Sequence, residues 1–144
     1  MLYLVSAPYR ILIIDDDAET LGYYRTILTD AHMAISELSE PAGIFERLTQ
    51  FKPELILIDM YMPQCTGLQL ARIIRQHAIW LPLPIVFLST EANTEKQQFA
   101  MRVGADDFLE KSIAPAHLVS TLGNRIERFR ALRRLLLREH QRQA

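Results

Sequence analysis

The chain has 144 residues, 49% of them apolar, which predicts a single globular domain with one hydrophobic core. No apolar stretch approaches the roughly 20 residues of a membrane span, the start does not have the pattern of a signal peptide, and a single cysteine excludes an internal disulfide, so we expect a soluble protein of the cytoplasm. The formal net charge of −1 conceals an asymmetry, because residues 124–144 carry seven arginines and two glutamates while the preceding part is acidic overall.

Short apolar runs alternate with longer segments of helical spacing along the chain, which predicts five strand-helix pairs of the βαβ type. The expected strands are 11–14, 33–38, 55–58, 84–88 and 107–110, and the expected helices are about 18–29, 41–51, 68–76, 94–103 and a last one from about 115. This alternation favours an α/β fold with a parallel sheet and right-handed crossovers.

Polar residues end four of the apolar runs. They are Asp15–Asp17, Asp59, Ser89 and Lys111. The carboxyl ends of parallel strands lie at one edge of a sheet, where α/β proteins place ligand sites. The expected set of acids, hydroxyl and ammonium suits a divalent cation together with a phosphoryl group.

The adjacent acids would repel one another and Asp59 unless a cation lies between them, and Mg²⁺ or Mn²⁺ fits that need. Asp59 is then a plausible nucleophile that forms an aspartyl-phosphate, with Ser89 and Lys111 neutralising the phosphoryl oxygens. We interpret the third acid, Asp17, as a helix cap in preference to a metal ligand.

Two segments resemble the receiver domains of two-component response regulators. Residues 59–67 read Asp-Met-Tyr-Met-Pro-Gln-Cys-Thr-Gly, similar to the family's Asp-x-x-Met-Pro-x-x-x-Gly, and residues 104–111 read Gly-Ala-Asp-Asp-Phe-Leu-Glu-Lys. The resemblance covers about 10–123. It implies a flavodoxin-like, doubly wound (βα)5 three-layer sandwich whose parallel five-stranded sheet has the order 2-1-3-4-5.

The resemblance also implies a role for each matching residue. Asp59 corresponds to the phosphoacceptor. The metal ligands correspond to Asp15, Asp16, Asp59 and the backbone carbonyl of Tyr61, and the phosphate-binding groups to Ser89, Thr90 and Lys111. The conformational switch corresponds to Ser89 and Phe108.

Three residues depart from the family pattern. Ser112 follows Lys111 where proline is usual, Thr90 stands where a very small residue is common, and Tyr61 is bulky at two places after Asp59. Without proline at 112, the cis peptide bond usual beside the lysine is not expected. Crowding by Thr90 and Tyr61 predicts a slowly hydrolysing phosphoaspartate.

By the same resemblance, the chain is a switch that takes a phosphoryl group from a sensor histidine kinase or a phosphotransfer protein, with self-phosphorylation and autodephosphorylation as its own chemistry. We expect a lead-in segment (1–8), a receiver domain (9–123) and a basic helical extension (124–144) that leads to an output domain such as a diguanylate cyclase, or to a partner protein. A homodimer could form through the fourth helix, fifth strand and fifth helix, or through the C-terminal helix.

The C-terminal segment keeps apolar residues at spacings of three and four, so the last helix should extend beyond the domain. Three interpretations of its arginines remain open: a solvated helix face, a coiled-coil or dimer stalk, and nucleic-acid binding, which is the weakest because no recognition motif accompanies the charge.

Two rival functions are also open. A phosphatase of the haloacid dehalogenase type would use Asp15 as its nucleophile, although Glu19 replaces the expected Thr or Val and no cap domain fits. A pseudo-receiver would bind partners without phosphate chemistry, which the intact acids, Ser89 and Lys111 oppose.

Overall fold

The computed structural model describes residues 7–90 and 94–143. Its elements, in chain order, are β1 (Arg10–Ile14), α1 (Ala18–Asp30), β2 (Ala34–Leu38), α2 (Ile44–Phe51), β3 (Leu55–Asp59), α3 (Gly67–Arg75), β4 (Ile85–Ser89), α4 (Thr94–Arg102), β5 (Asp107–Glu110) and α5 (Pro115–Gln143). The five expected strand-helix pairs are confirmed. Most of the expected lead-in segment lies outside the described residues, and the division into 1–8, 9–123 and 124–144 stays a prediction.

All strand pairs are parallel, and the sheet order is β2-β1-β3-β4-β5, as expected. Side chains alternate between the two faces of the sheet, because successive residues of a strand point to opposite sides. Even-numbered residues of β1 and β3 pack against α2 and α3, and odd-numbered ones pack against α1 and α5. The result is a three-layer sandwich with a core on each face of the sheet.

Local chemistry accounts for the helix starts. Asp17 caps α1 by accepting a hydrogen bond from the Thr20 amide at 3.0 Å, which confirms its interpretation as a cap. Thr66 and Gln69 form a capping box at the start of α3. The second helix begins at Ile44, later than the sequence indicated, because Gly43 has a φ of +89° and interrupts the helical backbone.

The segment between α3 and β4 contains a short 3₁₀ turn, Ala78–Trp80. The Arg75 guanidinium holds this segment by donating to the carbonyl oxygens of Trp80 and Leu83, at 2.9 and 2.7 Å. It also donates to the Gly104 carbonyl and to Asp106. Arg75 therefore joins the loops before β4 and before β5 at the amino edge of the sheet.

The last helix, α5, continues well beyond the sheet, as expected. Its middle is fixed to the amino edge by Arg130, which forms an ion pair with the buried Glu54 and donates to the carbonyl oxygens of Ala7 and Pro8 at 2.9 and 3.2 Å. Arg10 also contacts Glu54. Within the described residues, no helix combines the length and the apolar character needed to cross a membrane.

Candidate acidic site at the carboxyl edge of the sheet

Two buried carboxylates face one ammonium group at the carboxyl edge of the sheet. Asp15 directly follows β1 and is 2% exposed, and Asp59 ends β3 and is 6% exposed. The Lys111 Nζ lies 3.0 Å from Asp59 Oδ1 and 3.4 Å from Asp15 Oδ2. The structure therefore brings together three residues that are separated by 44 to 96 positions in the sequence.

The exposed Asp16 completes an acidic group that could hold a cation. Asp15, Asp16 and Asp59 each offer a carboxylate oxygen, and these oxygens lie within 4.8 Å of one another. Burial raises the pKa values of Asp15 and Asp59, and the repulsion between Asp15 and Asp59 raises that of Asp59 further. A bound cation would favour the charged form of these carboxylates, and carboxylate oxygens are the ligands that a hard divalent ion such as Mg²⁺ prefers.

Lys111 is held in its charged form. Burial alone would lower its pKa, but the hydrogen bond to Asp59 and the charges of Asp15 and Asp59 outweigh burial, so the pKa is raised. Its backbone is fixed as well, because its amide donates to the Ser89 carbonyl at 2.8 Å. The Lys111–Ser112 peptide bond is trans, as expected where no proline follows the lysine.

The two expected switch residues lie on one face of the sheet. Ser89 is buried at the end of β4, and Phe108 is half-buried in β5, where it is in register with Phe87. The alternation along the strands places Ser89, Phe87 and Phe108 on the face covered by α2, α3 and α4. Thr90, expected to bind phosphate, is exposed directly after Ser89.

A contact that the sequence analysis missed connects the site to α4. The Lys96 ammonium lies 4.7 Å from the centre of the Tyr61 ring and donates a hydrogen bond to the Tyr61 hydroxyl. The Tyr61 amide hydrogen-bonds to the Asp59 carboxylate and so favours its charged form. Tyr61 thus contacts both Asp59, through its backbone, and α4, through its side chain.

The loop after Asp59 is shaped by one glycine. A β-carbon at Gly67 would lie 2.5 Å from the Asp59 carbonyl oxygen and 3.0 Å from the Phe87 ring, so no larger residue fits without a shift of the backbone. The Gly67 amide also donates to the Met60 carbonyl at 3.0 Å. The glycine that ends the 59–67 motif is therefore required by the close approach of α3 to β3.

Comparisons with known proteins agree with this geometry. The family described as the response regulator receiver domain matches residues 11–123. The 76.5 kDa protein of the phbC 3′ region from Thiocystis violacea is 35% identical over 127 residues, which are 88% of this chain and 18% of that protein. The phosphate regulon transcriptional regulatory protein PhoB of Pseudomonas aeruginosa is 30% identical over 78% of this chain and 49% of its own length.

A solved structure with a similar fold is the CheY-like response regulator receiver domain protein from Methanospirillum hungatei. It has a TM-score of 0.78 and 20% sequence identity, and the match covers 87% of this chain and 98% of that one. The curated relatives are longer proteins, and this chain spans less than half of each of the two described here. The family match over most of the chain, together with the sheet order, shows that this chain belongs to the response regulator receiver domains of two-component signalling.

Proposed function

We propose that Asp59 accepts a phosphoryl group from a phosphohistidine of a sensor histidine kinase or phosphotransfer protein. The observation that carries the proposal is the position of the Asp59 carboxylate, which is 3.0 Å from the Lys111 ammonium and within 4.8 Å of oxygens from Asp15 and Asp16. Charge stabilisation is the main requirement of phosphoryl transfer: Lys111 would supply it directly, and Asp15 and Asp16 would hold a cation that supplies the rest.

In the proposed reaction, an Asp59 carboxylate oxygen forms a bond to phosphorus while the bond from phosphorus to the donor imidazole nitrogen breaks. The electron pair of the broken bond returns to the imidazole, and Asp59 becomes an acyl phosphate. The Lys111 ammonium donates to a phosphoryl oxygen, as it now does to Asp59. Mg²⁺ or Mn²⁺ held by Asp15, Asp16, Asp59 and the Tyr61 carbonyl would neutralise the remaining phosphoryl charge.

The signal then passes to the α4, β5 and α5 surface. In the proposal, the Ser89 hydroxyl moves toward the phosphoryl group and Phe108 turns into the space that it leaves. Ser89 ends β4 and Phe108 lies in the neighbouring strand β5. Both side chains point to the same face of the sheet, which supports this coupling. Because Phe108 has no hydroxyl, the switch works by packing alone.

The proposed partners follow from this chemistry. The donor is a histidine kinase or phosphotransfer protein, and the receiver acts on an output domain, for example a diguanylate cyclase, or on a partner protein. Dimerisation through α4, β5 and α5 or through the extension of α5 is part of the proposal. Direct nucleic-acid binding is not, because no recognition motif accompanies the arginines.

Intact mass after incubation with acetyl phosphate and Mg²⁺ tests the proposal. The native chain should gain one phosphoryl group, and Asp59→Asn should gain none. Asp15→Asn should slow the gain, since it removes a cation ligand. An adduct that survives Asp59→Asn and disappears with Asp15→Asn would instead indicate the haloacid dehalogenase type of chemistry, and no adduct in the native chain would indicate a pseudo-receiver.

A further inference from the structure

A buried tyrosine of α1 contacts the backbone of the lysine in the acidic site. Tyr24 is 2% exposed, and its hydroxyl donates to the carbonyl oxygen of Lys111 at 3.4 Å, across 87 positions of the sequence. Its ring belongs to the core on the face of the sheet that α1 and α5 cover. A buried tyrosine hydroxyl needs a hydrogen-bond partner to replace water, and the Lys111 carbonyl supplies one.

The backbone around Lys111 is held from two sides. Its amide donates to the Ser89 carbonyl at 2.8 Å, which continues the pairing of β5 with β4, and its carbonyl accepts from Tyr24. The next turn is closed by the Ile113 amide, which donates to the Glu110 carbonyl at 3.0 Å. The Tyr24 hydroxyl therefore ties the turn that follows β5 to α1.

Ser112 gives this contact its importance. A proline at 112 would fix the φ angle of that residue at about −65°, whereas serine leaves the angle free to vary. The Tyr24 hydroxyl restrains the same peptide from outside, because it holds the Lys111 carbonyl. A side chain of another helix thus supplies a restraint that the local sequence does not provide.

The Tyr24 hydroxyl is a neutral donor at neutral pH. Burial raises the pKa of its phenol, and the Lys111 ammonium offsets only part of that rise. The carboxylates of Asp15 and Asp59 raise the pKa further, since a phenolate near them would be repelled. The proton that the hydrogen bond to Lys111 requires is therefore present.

We propose that Tyr24 is a positioning residue for phosphoryl transfer to Asp59. Its hydroxyl holds the carbonyl of Lys111, and with it the start of the lysine side chain, so that the ammonium stays 3.0 Å from Asp59. This role rests on the proposed function of Asp59 as phosphoacceptor. Loss of the hydroxyl should weaken the reaction without abolishing it, because the hydrogen bond is long and the lysine stem is flexible.

Tyr23 provides a matched control on the same helix. Its side chain is 51% exposed, and its ring meets that of Tyr24 edge to face, with centroids 5.1 Å apart. Tyr24→Phe and Tyr23→Phe each remove one hydroxyl and keep both rings. Both variants should therefore keep the native circular dichroism, and only Tyr24→Phe removes the contact to Lys111.

Selective isotope labelling observes the hydrogen bond without any phosphoryl transfer. Lys111 is the only one of the three lysines that precedes a serine. Lysine labelled with ¹³C at the carbonyl and serine labelled with ¹⁵N at the amide therefore give one coupled signal, from the Lys111–Ser112 peptide. We expect Tyr24→Phe to shift the Lys111 carbonyl resonance upfield, because the carbonyl loses a hydrogen bond, and Tyr23→Phe to leave it unchanged.

The rate of phosphoryl gain tests the role in the reaction. The native chain and both variants are incubated with acetyl phosphate at a series of Mg²⁺ concentrations, and intact mass follows the adduct. At saturating Mg²⁺, Tyr24→Phe should react roughly three- to tenfold more slowly, as for the loss of one hydrogen bond, and Tyr23→Phe at the native rate. The Mg²⁺ concentration that gives half the maximal rate should not rise in Tyr24→Phe, because the ammonium and the cation compete for the same carboxylates.

Four results would overturn the proposal. An unshifted Lys111 carbonyl in Tyr24→Phe would exclude the contact, and a shifted carbonyl with a native rate would exclude the positioning role. A slower rate together with a higher Mg²⁺ requirement would mean that the whole site is disturbed and that Tyr24 is merely structural. No adduct in the native chain would overturn the proposed function itself, and it is distinguishable because it appears before any substitution is made.

Discussion

Arg130 of α5 forms a two-pronged ion pair with Glu54, the residue directly before β3, with Nε to Oε2 at 2.5 Å and Nη2 to Oε1 at 2.8 Å. Glu54 is 3% exposed, and its Oε1 also accepts from the Arg10 amide at 3.2 Å. Burial opposes ionisation of Glu54, but the hydrogen bonds from Arg130 and Arg10 outweigh burial and lower its pKa. The pair fixes the middle of α5 to the amino edge of the sheet.

Glu54→Gln should destabilise the protein by about 1.5–3 kcal/mol at neutral pH, because it removes charged hydrogen bonds in a buried position. A lowered pKa in the folded state contributes stability that is present above the ordinary Glu value of about 4.3 and is lost as the pH falls through the folded value. The difference in unfolding free energy between the native chain and Glu54→Gln should therefore become smaller as the pH is lowered. Urea unfolding at several pH values measures this difference.

The matched control for Glu54 is the half-exposed pair between Arg125 and Asp107, whose Nη2 and Oδ2 lie 3.2 Å apart. Asp107→Asn should cost no more than about 1 kcal/mol, as for other ion pairs near the surface. Equal losses of unfolding free energy in Glu54→Gln and Asp107→Asn would contradict a larger contribution from the buried Glu54 pair.

Asp59→Asn should raise the thermal midpoint when no divalent cation is added. The pKa of Asp59 is raised by burial, so its charged form is unfavourable in the folded state at neutral pH. The penalty is present above the folded pKa and disappears below the ordinary Asp value of about 3.9, so the gain from Asp59→Asn should fade as the pH is lowered. Calorimetry at neutral and acidic pH measures both effects.

Asp17→Asn is a control with the opposite charge environment, because two hydrogen bonds from Thr20 lower the pKa of Asp17. This variant should be neutral or slightly destabilising. A gain equal to that of Asp59→Asn would mean that loss of general negative charge, and not relief at the buried site, stabilises the chain.

Added Mg²⁺ should raise the thermal midpoint of the native chain, because Asp15, Asp16 and Asp59 offer three oxygens to one ion. At a cation concentration of about 100 times the dissociation constant, binding to the folded state alone adds roughly 2.7 kcal/mol. Asp15→Asn should reduce this shift strongly. A shift that persists undiminished in Asp15→Asn would place the cation elsewhere.

Gly67→Ala should destabilise the chain by about 2 kcal/mol or more, since its β-carbon would meet the Asp59 carbonyl oxygen at 2.5 Å. Gly22→Ala is the matched control. At Gly22, in the middle of α1, the nearest atom is a flexible Arg25 nitrogen at 3.5 Å, so this change should stabilise by about 0.5–1 kcal/mol. Chemical unfolding of both variants measures whether the free energy of unfolding falls for Gly67→Ala and rises for Gly22→Ala.

Tyr61→Ala should shorten the lifetime of the phosphorylated state at least threefold. The Tyr61 amide hydrogen-bonds to the Asp59 carboxylate and the Tyr61 ring is held by Lys96, so we expect removal of the side chain to open the approach for water. Lys96→Met should have a smaller effect in the same direction, because it releases the ring without removing it. Loss of the phosphoryl adduct over time, followed by intact mass after removal of acetyl phosphate, measures both, and an unchanged lifetime in Tyr61→Ala would contradict this role.

The carboxyl edge could be predicted from sequence because each site residue ends an apolar run. Two apolar runs are followed directly by acids: Ile11–Ile14 by Asp15, and Leu55–Ile58 by Asp59. This pattern predicts both the strand and the edge of the sheet at which each carboxylate lies. The approach of Lys111 to both acids then follows from the parallel order of the strands.

Contacts at the amino edge could not be predicted in this way. Arg75 binds backbone carbonyl oxygens, which have no sequence signature, and Glu54 pairs with a residue 76 positions away. A charged residue directly before the buried β3 run was the only available signal. Such pairings depend on how α5 crosses the sheet, and the apolar pattern of the helix does not specify that angle.

The length of α5 turns a small motion into a large one. Pro115 lies four residues after Lys111, and Gln143 lies far beyond the amino edge, so one continuous helix runs from the phosphoacceptor end of the domain past its opposite end. A rod of 29 residues is about 43 Å long, and a tilt of about 5° at its start would displace its tip by roughly 4 Å. Arg130 fixes the middle of the helix to Glu54, so substitutions at Glu54 that remove this attachment would change how far the tip moves.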